Sequence, residues 1–66
     1  MESKEFKRKR GGLGLTQAEL AEMLEIQANT VSRYETGLLE IPKAVELAME
    51  TVERRINESE RESANK

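Results

Sequence analysis

Between Phe6 and Ile56 the apolar residues recur at helical spacing, and nowhere do they alternate for long enough to predict a strand. The pattern is clearest after Thr16. In the run QAELAEMLE, Leu20, Met23 and Leu24 fall at i, i+3 and i+4 with Ala21 beside them, while Glu19, Glu22 and Glu25 lie off that face. Thr16 with Glu19 three residues on has capping-box spacing and marks the helix start. A break over residues 25–27 precedes a second short helix over about 28–35. Val31 and Tyr34 share a face of it, and Gly37 is placed as a left-handed C-cap. Two helices of about eight residues, joined by about three, cannot each bury a face alone, so they must cross and pack as a helix-turn-helix.

Residues 3–10 are basic and helix-compatible, with Phe6 as their one large apolar side chain, and Gly11, Gly12 and Gly14 are expected to end that helix. Leu38, Leu39, Glu40 and Ile41 form a largely apolar connector, after which Pro42 reads as the first position of another helix. That helix has no breaker through PKAVELAMETVERRINESE, and Val45, Met49, Val52 and Ile56 are spaced 4, 3 and 4 in a heptad-like stripe. Ala44, Leu47 and Ala48 widen its apolar face to about 200°, roughly twice what one docking surface needs. Val45, Met49, Val52 and Ile56 are therefore candidates for a dimer surface; the other reading is that they pack on the domain itself. After Ile56 only Ala64 is apolar, which predicts a frayed polar tail over 57–66. The pattern as a whole predicts an all-α fold. One domain over 1–56 holds a compact bundle of four or five helices, with a central helix-turn-helix over about 16–36 and a long last helix.

Composition narrows the chemistry. The 66 residues are 36% apolar and allow one small domain. With no Cys, His or Asp, the chain offers no disulfide, thiolate nucleophile, Cys/His zinc site or imidazole base. Glutamate is the only carboxylate, and Glu pairs on charged helices read as solvated surface. No enzyme, metal or cofactor is expected. No apolar run approaches the roughly 20 residues of a membrane span, and MESKEFKRKR has no apolar segment behind it to act as a secretory signal. These features predict a soluble, cytoplasmic protein.

The formal charge of −2 is unevenly spread. Residues 1–14 carry Lys4, Lys7, Arg8, Lys9 and Arg10 against Glu2 and Glu5, a net of +3. Residues 15–37 carry a net of −3 and residues 38–66 a net of −2. Such a balance is unlike the basic domains that usually bind nucleic acid.

The stretch over residues 10–37, RGGLGLTQAELAEMLEIQANTVSRYETG, nevertheless resembles the lambda-repressor-like (Cro/Xre-type) helix-turn-helix family. LGLTQAELAEML and TVSRYETG carry the resemblance, at the right separation. It implies that the helix starting at Thr16 lies across a DNA backbone and that the helix over about 28–35 is a recognition helix in the major groove. By position it places Thr16 and Gln17 against phosphates, where a helix N-terminus presents free N–H groups. A plain N-cap is the other reading of Thr16, and the two roles are compatible. Arg10 and Glu35 fall where relatives hold a salt bridge between the first helix and the end of the third.

At about 100° per residue, Ala28, Ser32, Asn29 and Arg33 fall within an arc of about 140°, with Val31 and Tyr34 on the opposite side. The resemblance puts base contacts on that same arc, with Gln27 at its entrance. Arg33 suits guanine, Asn29 and Gln27 suit adenine, Ala28 suits the thymine methyl, and Ser32 is too short to specify much. A solvated face is the other reading of Asn29 and Arg33, as it is of the basic run over residues 7–9. The sequence departs from the family at Glu25, where glycine is usual and an altered turn is expected. It departs again at Gln27, a weak N-cap, and in the connector, where only Thr36 and Lys43 remain as phosphate candidates.

Two functions follow. One is a sequence-specific regulator, acting as a repressor and homodimer on double-stranded operator DNA. The other is an interaction module of the same fold, such as the antitoxin partner of a toxin, which the acidic last segment and the apolar connector would suit.

Overall fold

The computed structural model describes the backbone of residues 1–64 and the side chains of residues 1–59. Four helices follow in order, α1 (Ser3–Gly12), α2 (Gln17–Leu24), α3 (Ala28–Thr36) and α4 (Lys43–Ala64), with no strand among the described residues. The fold is all-α, with α2 and α3 as the central helix-turn-helix.

The start and end of each short helix have identifiable causes. At α2 the capping box is complete: the Glu19 N–H donates to Thr16 Oγ1 at 3.1 Å, and the Thr16 N–H donates back to Glu19 Oε1 at 2.9 Å. α1 runs two residues further than the glycines suggest, because Gly11 and Gly12 remain helical and the reversal occurs at Gly14, φ +73°. The Leu15 N–H bonds Arg10 O at 3.3 Å and the Gly14 N–H bonds Gly11 O at 3.0 Å, the paired closure of a Schellman motif. α2 closes in the same way. The Ile26 N–H reaches Ala21 O at 2.9 Å and the Glu25 N–H reaches Glu22 O at 3.2 Å.

The residue in the left-handed position of that second closure is Glu25, at φ 59°, ψ 41°. The missing glycine therefore does not alter the turn; the chain keeps the geometry and takes on the Cβ strain instead. Gly37 closes α3 at φ +83°, as expected. Pro42 lies just before α4, its carbonyl accepting from Val45 and Glu46, so it is the N-cap rather than the first helical residue.

All four helices contribute to one core: Phe6 from α1, Leu20 and Ala21 from α2, Val31 and Tyr34 from α3, Met49 and Val52 from α4. Phe6, Leu20, Val31 and Met49 are fully buried, each worth about 1.5–3 kcal/mol of transfer free energy. The Phe6 and Tyr34 rings meet edge to face, centroids 5.7 Å apart, and join α1 to α3.

Of the four α4 residues offered as a dimer surface, Met49 and Val52 are taken by the domain itself. Val45 and Ile56 pack against its core, so the stripe serves as the lid of the domain. Its 4-3-4 spacing keeps one helix face turned to the body, where Met49 and Val52 are buried and Val45 and Ile56 half-buried. Leu47, on the far side of α4, is instead half exposed, and Leu38 in the connector is 76% exposed. α4 continues as helix to Ala64, beyond the last residue that touches the core. Of the polar segment 57–66, residues 65 and 66 lie outside the described residues.

Candidate nucleic-acid interface

Two features define the site: the N-terminus of α2 and the outward arc of α3. α3 is fixed by its inner face, since Val31 and Tyr34 are buried while Ala28, Asn29, Arg33 and Thr36 are exposed and Ser32 is half-buried. Gln27 is exposed at the N-cap and makes no side-chain capping bond. The Thr30 and Val31 N–H groups both turn back to Gln27 O, so the helix begins with the Ala28 and Asn29 N–H groups ahead of its first internal bond. The outward arc thus presents a guanidinium, an amide and two hydroxyls, with no carboxylate among them. The Thr36 hydroxyl donates to Arg33 O at 3.3 Å.

At the other feature, Thr16 Oγ1 accepts from the Glu19 backbone N–H at 3.1 Å. The Glu19 carboxyl is held below the usual carboxylate range by the Thr16 backbone N–H and then by the Thr16 hydroxyl. Gln17 follows at the first helical position, half-buried.

Arg10, Gln17 and Glu35 come together between these features. Arg10 grips Glu35 with Nε on Oε2 at 2.6 Å and Nη2 on Oε1 at 3.1 Å, while its Nη1 donates to Leu15 O at 2.8 Å. The Gln17 amide donates to the same Glu35 Oε1 at 3.1 Å. The Glu35 side chain is only 3% exposed. Burial pushes its carboxyl up, but the hydrogen bonds from Arg10 and Gln17, with the charges of Arg10 and Lys7, outweigh that and hold it below the ordinary range. The Arg10 guanidinium is correspondingly raised, chiefly by its hydrogen bonds to Glu35.

The family resemblance pairs Arg10 with Glu35 but assigns Gln17 only to phosphate. Nothing local in the sequence signals a bond between residues 18 apart. The basic run of α1 also divides. Lys9 pairs with Glu53 of α4 at 3.6 Å, whereas Lys7 and Arg8 are exposed. Lys43 is exposed at the first turn of α4, with the apolar connector between it and α3.

Among the described residues no group of acidic side chains is arranged to hold a metal ion, and no helix is long and apolar enough to cross a membrane. No curated protein and no solved structure matches the chain significantly. The helix-turn-helix family matches it over residues 6–50, from the core phenylalanine of α1 to the first turns of α4. That span exceeds half of the chain and contains both the capped α2 and the outward arc of α3, and the chain belongs to the lambda-repressor-like helix-turn-helix family of DNA-binding regulators.

Proposed function

We propose that the protein is a sequence-specific regulator that binds double-stranded operator DNA as a homodimer and acts as a repressor. The observation that carries this is the carboxylate-free outward arc of α3 on a helix whose other face is locked into the core. Arg33 reads guanine through O6 and N7, Asn29 and Gln27 read adenine, and Ala28 meets a thymine methyl. Ser32 fills the arc between them, and Thr36 at the end of α3 is a phosphate contact. Thr16, Gln17 and Lys43 supply phosphate contacts, and so set register rather than sequence.

One recognition helix covers about four or five base pairs, and two copies about one helical turn apart give a usable site. With Met49 and Val52 buried, the exposed large apolar side chains among the described residues that two copies could share are Met23, Leu38, Leu39 and Leu47. The net charge of −2 keeps non-specific affinity low. The strong exposure of Leu38 also suits the second reading, a module that holds a protein partner such as a toxin.

Selection of bound duplexes from a random pool tests the first reading, with enrichment of a two-half-site motif as the expected result. Arg33→Ala is expected to cost about 1–3 kcal/mol and relax preference at one position of each half-site. Failure to enrich any motif, with no salt-dependent retention on DNA, refutes the regulator reading and leaves the interaction module.

A further inference from the structure

We infer that Gln17 is a positioning residue for base recognition. Through Glu35 it fixes the angle between the phosphate-facing end of α2 and the recognition helix α3. This rests on the regulator reading above.

Glu35 accepts three hydrogen bonds, two from Arg10 on α1 and one from Gln17 on α2. Arg10 already neutralises the carboxylate, so the Gln17 bond adds direction rather than charge compensation. Arg10 is itself anchored to Leu15 O, in the turn that leads into α2. The α1–α2 turn, the first residue of α2 and the last turn of α3 thereby converge on one carboxylate that solvent barely reaches. Glu35 lies two residues beyond Arg33 on α3. A shift of this junction displaces Arg33 relative to whatever phosphate the α2 terminus holds. A bidentate contact to guanine tolerates little such displacement, because both of its hydrogen bonds are directional.

The geometry also leaves Gln17 able to act at both ends. One amide N–H is directed to Glu35, and the second N–H remains for a phosphate oxygen. A phosphate contact strengthens binding to every sequence alike, whereas a positioning role strengthens binding only to the correct one. The ratio of operator to non-specific affinity therefore isolates the positioning role, because the phosphate contribution cancels in it.

The test uses Gln17→Met, which keeps the length of the side chain and removes the donor, and Gln17→Lys, whose ammonium can again donate to Glu35. Affinities are measured for the operator selected with the unmodified chain and for a random-sequence duplex of equal length, at one salt concentration, with folding checked by circular dichroism. The expected result is that Gln17→Met lowers the operator to non-specific ratio by about tenfold and Gln17→Lys restores most of it. An equal loss on both duplexes makes Gln17 a phosphate contact only and overturns the inference. A ratio that does not move, even where the melting temperature does, makes the bond purely structural and overturns it as well. If Gln17→Met does not fold at the assay temperature, a reduced ratio for Gln17→Leu, read at lower temperature against the unmodified chain, takes its place. Failure of the unmodified chain to select an operator refutes the regulator reading itself, a result distinct from an operator whose ratio ignores Gln17.

Discussion

Glu25 carries a side chain in a conformation that suits glycine, and Glu25→Gly is expected to stabilise the domain. At φ 59°, ψ 41° its Cβ crowds the following carbonyl, a strain of about 1–2 kcal/mol. Its carboxylate also sits at the C-terminal end of α2, where the helix dipole is negative, at a further cost of about 0.3–1 kcal/mol. Glycine removes both costs but loosens the unfolded chain, which returns about 0.4–1 kcal/mol. The net gain is about 1 kcal/mol, or a rise in melting temperature of about 4–8 °C for a domain of this size. Thermal and urea unfolding followed by far-ultraviolet circular dichroism measure it, at one protein concentration so that self-association does not enter. Glu25→Gln separates the two causes, because it removes the charge and keeps the strained backbone; a gain of only a few tenths of a kcal/mol is expected. The reasoning is refuted if Glu25→Gly is no more stable than Glu25→Gln, for then the left-handed backbone stores no strain.

Other expected outcomes follow from the same structure. Gly11 lies within α1, and a Cβ added there would meet nothing within 4 Å, so Gly11→Ala should stabilise by about 0.5–1 kcal/mol in urea titrations; a loss would mean its backbone is not helical in solution. Met49→Ala should cost about 2–5 kcal/mol, while Leu47→Ala should stay within about 0.5 kcal/mol; the opposite ranking would return the α4 stripe to the surface. Glu35→Gln should cost about 1–3 kcal/mol by weakening its bonds to Arg10 and Gln17. Because the folded-state pKa of Glu35 is lowered, its contribution is full above the unfolded value of about 4.5 and is lost as pH falls through the folded value. Glu35→Gln should therefore flatten the acid limb of a stability-versus-pH curve, and an unchanged limb would contradict the ion pair.

Features that depend on near neighbours were legible in the residues. Thr16 with Glu19, Gly37 after α3, and the inward pair Val31 and Tyr34 all act within one or two helical turns, and each stands where its spacing put it. The Arg10–Glu35 pair was legible only through resemblance to a family, since 25 residues separate the two. Gly11 and Gly12 misled because glycine permits a turn without requiring one; the closure needed one positive φ, and Gly14 supplied it. At Glu25 the local preference pointed away from the turn. The packing of α2 against α3, through Leu20, Ala21 and Val31, imposed the turn regardless.

By itself the sequence determined an all-helical chain, the ends of its central helices, which face of α3 turns inward, and a chemistry without imidazole or thiol. Periodicity, capping and composition are local properties, and the residues carry them wherever the chain goes. Only the tertiary structure decided where α4 spends its stripe and what Gln17 holds. An apolar face names no partner until other helices compete for it, and here the body of the domain took Met49 and Val52. Likewise an amide at a helix start has no assigned acceptor until folding brings Glu35 to within 3.1 Å.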